Sequence, residues 1–202
     1  MIQSEIDGVL KQRKLEDLIE VPIIVRVNKF DEASAKDFSE AMQKAQQTSQ
    51  SVIPVLIDSF GGQVYSLLSM IDTLRMSTKP VATIVTGKAM SCGAVLFTCG
   101  REGMRYCGRN ATVMIHDVSS FAFGKVEDIK ADVKEAERLN DEIYRTMEDN
   151  IGKPRGYLTD IVRERCKVDW FMTAEEALHH NIANHIRVPA MKVKVSVQMN
   201  FG

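Results

Sequence analysis

The sequence predicts an α/β fold built around a mainly parallel sheet. Two observations and a rule of chain topology lead there. Short runs rich in β-branched residues, "PIIVRVN", "VIPVLID" and "KPVATIV", are separated by stretches with helical periodicity. The second run is apolar almost throughout instead of alternating, as suits a strand buried on both faces. Strands that alternate with helices close into parallel sheets through right-handed crossovers.

The elements follow in chain order. Residues 1–20 read as a terminal helix or a loosely ordered segment, followed by a strand at Pro22 to Asn28. "DEASAKDFSEAMQKAQQ" reads as a helix with Asp31 as its N-cap, because a short acidic side chain can accept from the free N–H groups of the first turn. "VIPVLID" is the second strand. "SFGG" breaks it, and a helix opens near Gln63 with Val64, Leu67, Leu68, Ile71 and Leu74 on one face. "KPVATIV" is the third strand, and "SCGAVLFTCG" forms a short buried helix. "MRYCG" and "ATVMIH" are further strands, parted by the turn-prone "GRN".

A long helix is expected over about 126–149. Val126, Ile129, Val133, Ala136, Leu139, Ile143 and Met147 advance by three or four residues at a time, among faces dense in charge. "IGKPRG" ends it, and a shorter helix covers about Tyr157 to Arg165. "DWFMTAEEALHHN" gives a strand end and then a helix whose start pairs Thr173 with Glu176 in a capping box. The tail, "MKVKVSVQMNFG", alternates like an edge strand.

The division expected is an N-terminal segment (1–20), one domain (21–188) and a tail (189–202). A chain of 202 residues is long enough to bury roughly 70% of its unfolded surface in one domain. The formal net charge of −1 lacks the basic footprint of a nucleic-acid binder. The basic "KQRK" at Lys11 to Lys14 is followed at once by "LEDLIE" and reads as a solvated helix face. Cys92, Cys99, Cys107 and Cys166 form no C-x-x-C pair, and reduced thiols in a cytosolic compartment fit them. The histidines, His179 and His180 included, have no zinc-site spacing. The first twenty residues are charged throughout, unlike a signal peptide, and no apolar run reaches the roughly 20 residues that span a bilayer.

The chemistry centres on "TGKAMSCGA", which sets a hydroxyl, Ser91, beside a thiol, Cys92, after a strand and before a small-residue helix. Ser91 is either an N-cap or a nucleophile at a strand-to-helix elbow. The A-x-S-x-G stretch does not match the G-x-S-x-G of α/β-hydrolases. His116, at the tip of "ATVMIH", is either a satisfied structural histidine or a base at the sheet edge. Asp169 is either a turn aspartate or the carboxylate that orients a base. A serine that transfers acyl groups needs a base, an orienting group and backbone N–H donors aimed at the developing oxyanion.

Taken together and in order, "SFGGQV", "GKAMSCGA", "TVMIHD", the long helix and "DWFMTAEEA" resemble the proteolytic subunit of the Clp protease. That family shows S-P-G-G, G-x-A-x-S-x-G-A, V-M-I-H, a handle helix and D-R-F-[LM]-[ST]-A. The resemblance covers about Pro22 to Ile186. It implies a crotonase-like fold of stacked β-β-α units with a protruding handle helix. It also implies a serine endopeptidase in which Ser91 is the nucleophile, His116 the general base and acid, and Asp169 the orienting carboxylate. Gly62 and Cys92 supply the oxyanion-hole N–H groups, so Cys92 acts through its backbone. A Cys92 nucleophile served by His116 is the alternative at this point.

By the same resemblance, no metal or cofactor takes part. The implied partners are an unfolded protein or peptide substrate, further copies of the chain in two stacked heptameric rings, and an AAA+ unfoldase, with neither nucleic acid nor membrane involved. Three departures stand out. Phe60 replaces the loop proline, which leaves either a mobile loop completed on binding or one anchored by packing of the ring. "VIPVLIDS" lacks the tyrosines that often line the unfoldase-docking pocket, and the N-terminal segment is short. The rival functions are a non-cleaving scaffold subunit and a crotonase-type acyl-CoA enzyme.

Overall fold

The computed structural model describes residues 21–119, 123–165 and 168–191. The expected N-terminal helix and most of the tail lie outside them. Seven strands, β1 (Val25–Val27), β2 (Ile53–Ser59), β3 (Val81–Met90), β4 (Arg105–Cys107), β5 (Thr112–Ile115), β6 (Trp170–Met172) and β7 (His185–Ile186), make one sheet. The main path runs β1-β2-β3-β4-β7, and every pair on it is parallel. β5 leaves this path, pairing parallel with β3 and antiparallel with β6.

β3 runs five residues beyond the expected "KPVATIV" because it changes partner. Thr83 to Val85 pair with β4, and Lys88 to Met90 pair with β5. Gly87 lies between the two registers, where a β-carbon would come 2.8 Å from Asp58 Oδ1. The β2–β3 register shifts at the same level, between Ile57 and Ser59, and pairing resumes with Ser59 opposite Ala89. The two-residue β7 was not anticipated; so short a strand carries no periodic signal.

Helix α1 (Glu32–Gln47) begins as expected: Asp31 Oδ1 accepts from Ser34 N–H at 2.7 Å. It buries Phe38, Met42 and Ala45, and helix α2 (Val64–Arg75) buries Leu67, Met70, Ile71 and Leu74. Each such large apolar side chain contributes about 1.5–3 kcal/mol on burial. Helix α3 (Cys92–Thr98) is buried on every face, which explains its small, apolar composition.

Helix α4 (Val126–Ile151) has 26 residues, about 39 Å at 1.5 Å per residue. Its C-terminal half packs on the domain through Leu139, Ile143, Tyr144, Met147 and Ile151. Its N-terminal half stands away, with Val126 66% and Val133 50% exposed. Gly152, at φ 67°, stops the helix two residues beyond the expected end. Buried Glu148 then accepts from the N–H groups of Gly156 and Leu158, at 3.1 and 2.9 Å, setting the start of helix α5 (Tyr157–Glu164). Helix α6 (Ala174–His179) has the expected capping box of Thr173 and Glu176. Buried Arg105 donates to the carbonyls of Ile182, Gly100, Asn150 and Asn181, tying β4 to the chain that follows α3, to the last turn of α4 and to the chain that follows α6.

Candidate active site

Sheet register brings three of the sequence-predicted residues to one edge. β3 and β5 pair with Met90 opposite Met114, and Ser91 N–H donates to the Met114 carbonyl at 2.9 Å. Ser91 therefore leaves β3 beside the end of β5, where His116 follows Ile115. β5 and β6 pair with Ile115 opposite Trp170. Extending that antiparallel register by one residue sets His116 opposite Asp169. His116 Nδ1 lies 3.6 Å from Asp169 Oδ1, with the histidine side chain 25% and the aspartate 53% exposed. Among the described residues no hydrogen bond joins Ser91 to His116.

Ser91 occupies the N-cap position of α3, but its side chain makes no capping hydrogen bond. Its backbone sits at φ 53°, ψ −122°, a region that costs a non-glycine residue about 1–3 kcal/mol. In that conformation Ser91 lines a cavity beside the helix start instead of capping the helix. The cavity, of about 50 Å³, is lined by Ser91, His116, Gly62, Cys92 and Ser119, with an apolar wall of Val64, Val95, Ile115, Val118, Ile143 and Met147. A wider groove of about 580 Å³ runs beside α4 at Arg138, Arg145, Arg155 and Glu148, and includes neither Ser91 nor His116.

The "SFGG" loop is pressed against this turn. Gly61 (φ 107°) is so close that a β-carbon would sit 2.8 Å from Ser91 Cβ, and at Gly62 (φ 150°) one would sit 2.3 Å from the Phe30 carbonyl oxygen. Only glycine fits at either position. Gly61 N–H donates to Ser59 Oγ at 3.1 Å, and Gln63 N–H to the Phe30 carbonyl at 2.8 Å. Among the described residues the N–H groups of Gly62 and Cys92 donate to no backbone carbonyl. Phe60 is 73% exposed, so burial of its ring does not anchor the loop within this chain. Lys88 Nζ lies 4.3 Å from the ring centre and is itself paired with Asp58 at 2.7 Å.

Cys92 is 2% exposed, and its Sγ–H donates to the Gly62 carbonyl at 3.3 Å. Burial pushes the thiol up from its ordinary range, against the opposing pull of the Gly62 backbone and the Ser91 hydroxyl. A neutral, buried thiol is a poor nucleophile, so the environment favours Ser91 over Cys92.

Two residues absent from the sequence reading hold the base segment in place. Asp117 accepts from Tyr144 Oη at 2.9 Å and Asn140 Nδ2 at 3.4 Å, and Asn140 Oδ1 accepts from Val118 N–H at 3.0 Å. Helix α4 thus grips the chain directly after His116. In the sequence, Asn140 and Tyr144 show only as one i, i+4 pair among many on that helix. Among the described residues no three His, Cys, Asp or Glu side chains converge as metal ligands, and no helix is long and apolar enough to cross a membrane.

Comparison with known proteins gives a consistent result. The family model described as Clp protease matches residues 8–189. The ATP-dependent Clp protease proteolytic subunit of Deinococcus radiodurans is 33% identical over 141 residues, covering 69% of this chain and 67% of its own. The ATP-dependent Clp protease proteolytic subunit 3 of Nocardia farcinica is 31% identical over 182 residues, covering 89% and 80%.

Proposed function

The chain belongs to the Clp protease family, and from that premise we propose that it is a serine endopeptidase working through Ser91, His116 and Asp169. The observation that carries this reading is the backbone at Ser91. A strained, uncapped serine opens on the same cavity as a histidine that faces an aspartate.

In the proposed reaction Ser91 Oγ attacks the carbonyl carbon of a bound peptide while His116 takes the hydroxyl proton. Asp169 faces Nδ1, which leaves Nε2 as the nitrogen that exchanges the proton. The carbonyl oxygen becomes an oxyanion, received by the N–H groups of Gly62 and Cys92. His116 returns the proton to the leaving amine, and an acyl-Ser91 ester forms. Water, deprotonated by His116, then attacks the ester and frees Ser91. The apolar wall of the cavity, Val64, Val95, Ile115, Val118, Ile143 and Met147, suits a peptide with a small apolar side chain beside the scissile bond.

Closing the His116–Asp169 distance from 3.6 Å to hydrogen-bond length, and bringing Ser91 to His116, is expected on substrate binding or assembly, as catalytic contacts often tighten then. The exposed half of α4 supports assembly with further copies of the chain. Relatives named for ATP-dependent proteolysis support feeding by an ATP-driven unfoldase.

The test is labelling with a fluorophosphonate followed by peptide mapping. The adduct is expected on Ser91, with labelling and peptide cleavage both lost in Ser91→Ala. An adduct on Cys92, or cleavage that survives Ser91→Ala, would overturn the assignment.

A further inference from the structure

The loop that carries Gly62 has lost two restraints a stiff oxyanion loop could use. It has no proline, and the Phe60 ring is 73% exposed. One side of Gly62 is still held, because Gln63 N–H donates to the Phe30 carbonyl at 2.8 Å and Phe30 itself is buried. The other side faces the first residue of α3. There the Cys92 thiol, 2% exposed, donates to the Gly62 carbonyl at 3.3 Å. The α3 start is itself enclosed by the core: Cys92, Gly93 and Ala94 are all buried. Cys92 therefore joins a rigid, wholly buried helix to the one loop residue whose N–H must be aimed.

We propose that the Cys92 side chain is a positioning residue for the oxyanion hole, its Sγ–H holding the Gly62 carbonyl so that the N–H groups of Gly62 and Cys92 keep one fixed spacing. This rests on the serine-peptidase reading above and adds to it. The backbone N–H of Cys92 meets the oxyanion; its side chain sets where the second donor stands. Two features suit the role. Burial raises the thiol further above its ordinary range, so it remains a donor. It also shares the cavity with Ser91, so a change in it reaches the reacting centre directly. Because the contact aims a donor without binding the substrate, its loss falls on the transition state and not on the ground state.

The test compares Cys92→Ala, which removes the donor, with Cys92→Ser, which keeps a shorter but stronger one. On a short peptide, Cys92→Ala is expected to lower kcat about tenfold, well short of the roughly 10²–10³ lost with an entire oxyanion donor. KM should stay within about twofold, affinity for a peptide boronate should fall in step with kcat, and Cys92→Ser should recover most of the loss. Amide exchange at Gly61 to Gln63 should quicken in Cys92→Ala and return toward the parent rate in Cys92→Ser. If Cys92→Ala does not fold, Cys92→Val serves as the donor-free variant. An unchanged kcat, a Cys92→Ser as impaired as Cys92→Ala, or a loss appearing in KM alone would overturn the proposal. Ser91→Ala separates the two readings. If it shows that cleavage does not come from Ser91, the peptidase reading fails and amide exchange alone decides: acceleration in the donor-free variant with recovery in Cys92→Ser upholds the tether, and unchanged exchange removes it.

Discussion

His116 Nδ1 lies 3.6 Å from Asp169 Oδ1, one residue beyond the last paired position of an antiparallel ladder, Ile115 with Trp170. The two side chains meet because the sheet places them there. Trp170 is 1% exposed and fixes the strand that carries Asp169. Aspartate holds the imidazole in the tautomer with its proton on Nδ1 and stabilises the protonated form; asparagine can hold the ring in place but favours the wrong tautomer and carries no charge. Asp169→Asn is expected to lower kcat on a peptide by about 10⁴ with little change in melting temperature. Steady-state kinetics beside a thermal melt checks both halves.

The grip of α4 on the chain after His116 gives a milder prediction. Tyr144 Oη donates to Asp117 Oδ1 at 2.9 Å. Tyr144→Phe keeps the buried ring and removes only the hydroxyl. The expected cost is about 1–2 kcal/mol of stability, the range for a hydrogen bond that leaves a charged partner less satisfied. kcat should fall several-fold while KM holds, because His116 is displaced and not removed. Urea denaturation and peptide kinetics on one preparation test this.

Assembly rests on the other end of α4. Val126 and Val133 are exposed on a helix half that the domain does not cover. A second copy of this helix, laid against the first, would bury them. Val133→Glu places a charge in that contact without touching the domain core. The expected result, read by light scattering at micromolar concentration, is a shift toward smaller species with an unaltered far-UV spectrum. A parent chain that is fully active as a monomer would count against the assembly reading itself.

Much of this was legible in the sequence. The strand-helix alternation and the capping residues Asp31 and Thr173 depend on neighbours a few positions away, and each appears where the pattern put it. The bringing together of Ser91, His116 and Asp169 was carried by the order of motifs; the register that achieves it is a pairing of distant strands that no local window contains. The partner change in β3, the two-residue β7 and the contacts of Asn140 and Tyr144 escaped for the same reason. Ser91 taken alone reads more readily as a cap than as a nucleophile, and its positive φ and uncapped hydroxyl speak against the cap.

Alkaline pH should expose the buried thiols. Burial, with a smaller push from Glu175, raises the Cys107 thiol to about 11 from an ordinary 9.0. In the unfolded chain the same thiol loses its proton first. Its folded-state pKa is the higher one, so its contribution to stability is complete below about pH 9 and is lost as pH rises toward 11. Within that window the slope from one such group is at most about 1.4 kcal/mol per pH unit. Melting temperature is expected to fall from pH 9 to 11 less steeply in Cys107→Ala than in the parent, whatever offset the smaller side chain introduces below pH 9.

Phe60 supplies the last prediction. Its 73% exposure removes the account in which the ring anchors the loop by packing within this chain. The remaining account is a loop held at Gly61, Gly62 and Cys92 but free at residue 60. Phe60→Pro tests it cleanly. Ser59 ends β2, so its backbone already has the extended form that a following proline requires. Proline would fix φ near −65° and narrow the conformations open to the loop before substrate arrives. The expected outcome is a melting temperature equal to or above the parent's and a kcat raised a few-fold on a short peptide, from donors that are aimed in advance. A kcat below the parent's together with a lower melting temperature would mean that the ring has a covering partner in the assembled state, and would reject the free-loop account.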